Sequence, residues 1–141
     1  MPARAPPTAS DPRAGAALPS EISPGVFVGG RAVAAAFSGC RICVLDDGAS
    51  PGVSATHLPV YDPEADRPIV ENLERVAEAV RRAHDRGEPV LIFCGHGVRR
   101  SPLAAAWYLR RAEGISLEAA YDRIARVRPF VERAETWTRG A

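Results

Sequence analysis

With 141 residues, 46% of them apolar and 25% charged, the chain suits one domain with a buried core of its own. Its net charge of +1 argues against nucleic acid or a membrane surface as partner, and no apolar stretch is long enough to span a bilayer. Three cysteines do not make a secreted disulfide framework, and no apolar segment follows the first arginines as in a signal peptide, so the cytoplasm is the expected compartment. Residues 1–20, rich in Pro, Ala and Arg and without periodicity, read as a disordered tail. No lysine appears, so all 18 permanently cationic side chains are arginine. Beside so much alanine this reflects genome composition first, although guanidinium groups suit phosphate contacts.

The domain is expected over residues 21–141. Val26–Val28 predicts a short strand, Gly29-Gly30 a turn, and Arg31–Phe37 a short helix. Ile42–Leu45 predicts a second strand, closed by the polar turn Asp46-Asp47-Gly48, and His57–Val60 a third. Tyr61–Pro68 is a polar loop punctuated by prolines, the kind of segment that carries catalytic groups on a rigid scaffold. Ile69, Leu73, Val76 and Val80 then share one face of a helix that runs to Ala83. Gly87 ends it, and His84 serves as a cation near its C-terminus. The apolar run Val90–Phe93 reads as a buried strand, and Leu103–Arg111 as a helix. Beyond a break at Gly114, Ser116 predicts an N-cap for a helix through Val127 that Arg128-Pro129 stops. Phe130–Trp137 predicts a last short helix, and Trp107, Tyr108 and Trp137 read as packing residues. Strands alternating with helices imply an α/β fold: a central, largely parallel sheet flanked by helices.

The stretch Val90 to Pro102 holds the chemistry. Cys94 stands where a strand ends, followed by Gly95, His96, Gly97, Val98, Arg99 and Arg100, with Ser101 as a possible N-cap and Pro102 at the first helical position. Free N–H groups at a helix N-terminus favour an anion, and successive loop N–H groups form a concave phosphate cradle. Arg100 adds a planar fork for two phosphate oxygens. The same field favours a thiolate on Cys94, to which Ser101 can donate its hydroxyl. A thiolate beside a phosphate-shaped hole points to phosphoryl transfer onto cysteine. Cys40 and Cys43 share a short spacing, but zinc needs four ligands and no second cysteine pair exists, so no metal is expected. Cys43 reads as a small core hydrophobe. Whether Cys40 or Cys43 resolves an oxidised Cys94 stays open at this level.

Cys94-Gly95-His96-Gly97-Val98-Arg99-Arg100-Ser101 resembles the Cys-x5-Arg-Ser/Thr signature loop of the cysteine-dependent protein phosphatases, and is most similar to their small atypical dual-specificity branch. Ile22 to Gly30 is similar to the opening of such domains, and the likeness runs to about Phe130. The resemblance implies the dual-specificity phosphatase fold and a phosphocysteine intermediate, with no cofactor and no metal. Catalytic roles fall on Cys94, Arg100 and Ser101. Gly95, His96, Gly97, Val98, Arg99 and Arg100 would bind the substrate phosphate. In the family a loop aspartate about thirty residues before the cysteine protonates the leaving oxygen. Asp62 carries that expectation, Asp66 is the second candidate, and Glu64 is expected to face solvent. A monomer acting on phosphorylated protein, at phosphotyrosine and phosphoserine or phosphothreonine, is the implied enzyme.

The chain departs from the pattern in places. Phe93 stands where the family usually has histidine before the nucleophile, and it cannot join the hydrogen bonds that help hold the loop. Val131-Glu132-Arg133 replace a proline-asparagine. Two other readings follow: a phosphate-binding pseudophosphatase, prompted by Phe93, and an RNA 5′-phosphatase of the same superfamily, prompted by His96 and Arg99. The near-neutral net charge weighs against the second.

Overall fold

The computed structural model describes residues 18–133. The first seventeen residues of the expected tail, and Trp137, lie outside that range.

Among the described residues, seven strands and four helices form in the order β1 (Ser20–Ser23), β2 (Val26–Gly30), α1 (Arg31–Ala34), β3 (Cys40–Cys43), β4 (Thr56–His57), β5 (Tyr61–Asp62), β6 (Arg67–Pro68), α2 (Val70–Asp85), β7 (Val90–Cys94), α3 (Arg100–Glu113) and α4 (Leu117–Val127). Five strands make one sheet in the order β1-β2-β7-β3-β4. β2, β7, β3 and β4 run parallel, and β1 joins the edge antiparallel to β2. This is the mixed, mostly parallel sheet with flanking helices that the alternation predicts.

β7 lies in the middle and is buried along its whole length, which is why it reads as an unbroken apolar run. Its side chains alternate. Val90, Ile92 and Cys94 join the core under α2, α3 and α4, while Leu91 and Phe93 pack with Cys43 and Ala34 on the other face. Cys94 and Phe93 therefore point to opposite sides of the sheet. At the C-terminal edge Gly30 of β2 pairs with Cys94 of β7, so the loop after β7 opens where ligands bind in open α/β sheets. α2 buries Leu73, Val76, Ala77, Val80 and Ala83 against that core. Full burial of such an aliphatic side chain stabilises by about 1.5–3 kcal/mol.

Five local expectations change. Gly29-Gly30, expected as a turn, continue β2 and pair with Phe93 and Cys94. β1 starts at Ser20, inside the stretch read as tail; only Ile22 of the strand is buried, so no apolar run announces it. The third predicted strand shrinks to Thr56–His57, because Pro59 has no N–H to give a ladder and the Val60 carbonyl accepts from Ile69 N at 2.8 Å. α1 stops at Ala34 rather than Phe37, with Phe37 N turned back onto Ala34 O at 3.3 Å. Residues 129–130 form a turn and 131–133 are irregular, so no helix begins at Phe130; residues 134–137 lie outside the described range. Within the polar loop, β5 and β6 form a small antiparallel pair. The N-cap at Ser116 stands as predicted, its Oγ accepting from Ala119 N at 3.1 Å.

Candidate active site

β7 delivers Cys94, only 5% exposed, to the floor of the loop that ends in α3. The sulfur has two close polar neighbours. Gly97 N donates to Sγ at 3.3 Å, and Ser101 Oγ lies 3.3 Å away. Ser101 Oγ also lies 3.2 Å from the Gly29 carbonyl. A hydroxyl has one proton, so two hydrogen-bonding states exist. With a thiol, S–H donates to Ser101, which donates to Gly29. With a thiolate, Ser101 turns its proton to the sulfur.

This use of the hydroxyl corrects one expectation. Ser101 does not cap α3; the helix starts at Arg100, Arg99 takes the cap position without a side-chain bond, and Ser101 is fully buried inside the first turn. Pro102 still costs no hydrogen bond there, since first-turn N–H groups lack helical partners. Leu103 N opens the ladder to Arg99 O at 3.1 Å.

The loop sits tightly on its surroundings. A Cβ at Gly30 would meet Gly95 O at 2.8 Å. Gly97 has φ +68°, and a Cβ there would lie 2.5 Å from Arg128 Nη2 and 2.7 Å from the Gly29 carbonyl carbon, so only glycine fits. Gly95 O accepts from Arg31 N at 3.0 Å, and Val98 O from Glu132 N at 2.7 Å. His96 and Arg99 are exposed at the rim, and Gly95 and Val98 are half-buried.

Arg100 is not waiting with an open fork. Its Nε donates to Asp46 Oδ1 at 2.6 Å and its Nη2 to Asp46 Oδ2 at 2.9 Å, a bidentate carboxylate contact. Its guanidinium carbon lies 5.4 Å from the centre of the Tyr61 ring. Asp46, read from sequence only as part of a polar turn, is thus brought to the site from the end of the β3 segment.

Asp62 is placed one residue from that Tyr61 contact but does not reach Arg100 or Cys94 itself. Its Oδ1 accepts from Glu64 N at 3.0 Å and Ala65 N at 3.3 Å, tying its own turn, while Oδ2 takes no part in it. Asp66, at φ +49°, accepts the Tyr61 hydroxyl proton. That bond holds the Tyr61 phenol above its usual pKa. Glu64 is exposed.

Sequence reasoning missed one residue altogether. Arg128 is fully buried, with Nε donating to Gly97 O at 2.7 Å and Nη2 to His96 O at 3.1 Å. Its Nη1 reaches Leu18 O and Ser20 Oγ, each at 2.9 Å, and its guanidinium rests on the Phe130 ring at 4.6 Å. Burial pulls its pKa below the ordinary guanidinium range, and a negative charge on Cys94 acts in the opposite sense. The only local signal was an arginine before a helix-stopping proline.

The two other cysteines are set apart from Cys94. Cys43 is buried on the Phe93 face of the sheet, opposite Cys94, and Cys40 stands at the far end of the same strand, level with Val90. A disulfide from either to Cys94 would have to cross or run along the sheet. Burial raises the thiol pKa of both.

Comparison with known proteins bears on the family and the fold. The family described as dual specificity phosphatase, catalytic domain, matches residues 43–139. Human dual specificity phosphatase 28 is 30% identical over 135 residues, covering 85% of this chain and 76% of that protein. Its crystal structure superposes with a TM-score of 0.70 at 24% identity over 86% of this chain and 88% of that one. A mouse dual specificity phosphatase complexed with zinc tungstate gives a TM-score of 0.70 at 26% identity, covering 94% of this chain and 86% of that one.

Proposed function

Because the chain belongs to the dual specificity phosphatase catalytic-domain family, we propose that it is a cysteine-dependent phosphomonoesterase acting on phosphorylated protein, at tyrosine and at serine or threonine. The observation that carries the reading is Cys94 on the floor of a loop whose Gly97 N–H and Ser101 hydroxyl both address its sulfur. A mouse relative of the same fold was crystallised in complex with zinc tungstate, and a tetrahedral oxyanion is the class of ligand this reading calls for.

In the proposed reaction the Cys94 thiolate attacks phosphorus along the line of the leaving oxygen, forming an S–P bond as the P–O bond breaks. The loop N–H groups and Arg100 stabilise charge on the three equatorial oxygens. Asp62 gives the leaving oxygen its proton from Oδ2, with Oδ1 still holding the turn. Water then attacks the phosphocysteine, Asp62 takes its proton, and Ser101 donates to the departing thiolate. Asp66 is the weaker acid candidate, since its carboxylate already accepts from Tyr61.

Two features favour a second reading, a phosphate-binding module without turnover. Phe93 offers the loop no hydrogen bond, and Arg100 is engaged by Asp46. One assay separates the two: hydrolysis of a generic aryl phosphate and a phosphotyrosine peptide in excess chelator, wild type against Cys94→Ser. Steady turnover lost in the variant is expected. A single burst followed by arrest would favour the binding module. Activity that persists in Cys94→Ser or requires added metal would overturn both.

A further inference from the structure

We propose that Arg128 is the positioning residue of the signature loop: from the outer side it grips the loop carbonyls and so turns the loop N–H groups inward, toward the anion. In a trans peptide the C=O and the following N–H point in opposite directions. Four consecutive carbonyls of this loop are tied on the outside. Gly95 O accepts from Arg31 N, His96 O from Arg128 Nη2, Gly97 O from Arg128 Nε, and Val98 O from Glu132 N. The N–H groups of His96, Gly97, Val98 and Arg99 belong to the same four planes and must face the other way. One of them shows the result: Gly97 N donates to Cys94 Sγ at 3.3 Å.

Arg128 holds the two central planes with one rigid fork, and among the described residues no other side chain holds two. The guanidinium is itself fixed. It rests on Phe130 at 4.6 Å and is anchored to Leu18 O and Ser20 Oγ of the N-terminal segment. Its charge also polarises both peptides, which strengthens their inward N–H groups as donors. Phe93, on the opposite face of the sheet, supplies none of this support, so the loop is held from the α4 end of the chain instead.

Lysine at this position keeps the charge but cannot fork to two carbonyls. The test compares wild type, Arg128→Lys, Arg128→Met and Ser20→Ala by two readouts that need no turnover. One is the pH profile of iodoacetamide alkylation, followed at Cys94 by peptide mass. The other is the Kd for inorganic tungstate by calorimetry, alongside Tm. For Arg128→Lys the alkylation midpoint moves to higher pH and tungstate binds about tenfold more weakly, as expected when a charge-assisted fork is lost. Ser20→Ala removes one of two anchors on Nη1 and leaves the Leu18 carbonyl, the Phe130 ring and both loop carbonyls on the guanidinium, so it lowers Tm and changes both readouts far less than Arg128→Lys does. A lower Tm for Arg128→Lys with the alkylation profile and tungstate Kd of wild type would make Arg128 merely structural and overturn the proposal. Should neither Arg128 variant fold, Phe130→Leu, which removes the ring under the guanidinium, decides by the same readouts. The inference rests on reading the loop as an oxyanion site, and the two fail differently. Wild type that does not bind tungstate defeats that reading, whereas wild type and Arg128→Lys binding it equally defeat only the role of Arg128.

Discussion

Arg100 presents the sharpest chemical question at the scale of single residues. A phosphate dianion and a carboxylate ask for the same planar fork, and in the resting structure Asp46 has it. Substrate must therefore displace Asp46 or share the guanidinium with it. Both side chains are about a quarter exposed, at 28% and 27%, so the pair is screened and contributes at most about 1 kcal/mol. On that scale Asp46→Asn should tighten inorganic phosphate binding by up to about fivefold and lower KM for an aryl phosphate, with kcat nearly unchanged. Competition assays in the two proteins measure this directly. Weaker phosphate binding in Asp46→Asn would show instead that Asp46 holds Arg100 in its working position. The contact was not legible in the sequence. Asp46 and Arg100 lie 54 residues apart, and an Asp-Asp-Gly turn gives no sign of the partner it meets. Arg128 hid for the same reason, being 31 residues from the Gly97 carbonyl it binds.

At the scale of elements, the β5–β6 pair carries the proposed acid next to the residue that touches Arg100. Tyr61 makes the connection through its ring on Arg100 and its hydroxyl on Asp66. The sign of its pH dependence follows from the raised phenol pKa. The neutral phenol is the form favoured by folding, so its contribution is complete below the ordinary value of about 10 and is lost as pH rises through the raised one. Up to about pH 9 the phenol stays neutral, so rate changes below that report other groups. In that window Asp62→Asn should slow turnover of alkyl phosphates by roughly 10²–10⁴-fold, and an activated aryl phosphate by less, while phosphate binding holds. Stopped assays on both substrates check it. Equal rates for wild type and Asp62→Asn, with Asp66→Asn crippled, would move the acid role to Asp66. This element was half legible. The placement of Asp62 thirty-two residues before Cys94 was visible, but the pairing of Tyr61–Asp62 with Arg67–Pro68 was hidden in a proline-rich loop. β7 was legible because both its faces are buried, and β1 was not because it is a polar edge with one buried residue.

Across the whole molecule, the sheet order explains why one local stretch could announce so much. β7 is central, and its C-terminal end faces α3, so strand, loop and helix N-terminus are contiguous in sequence and in space. What lies around the loop comes from the rest of the chain: Gly29 from β2, Arg31 from α1, Asp46 after β3, Tyr61 from β5 and Arg128 from the end of α4. Those are long-range contacts, and no local pattern encodes them. In the proposed reaction the phosphoryl group passes covalently through Cys94. Rapid acid quench of the enzyme during turnover of an aryl phosphate, followed by intact mass and peptide mapping, tests it. One phosphoryl group should appear on the peptide bearing Cys94, accumulate further in Asp62→Asn, and be absent in Cys94→Ser. Steady hydrolysis without a labelled Cys94 peptide in either wild type or Asp62→Asn would contradict the account.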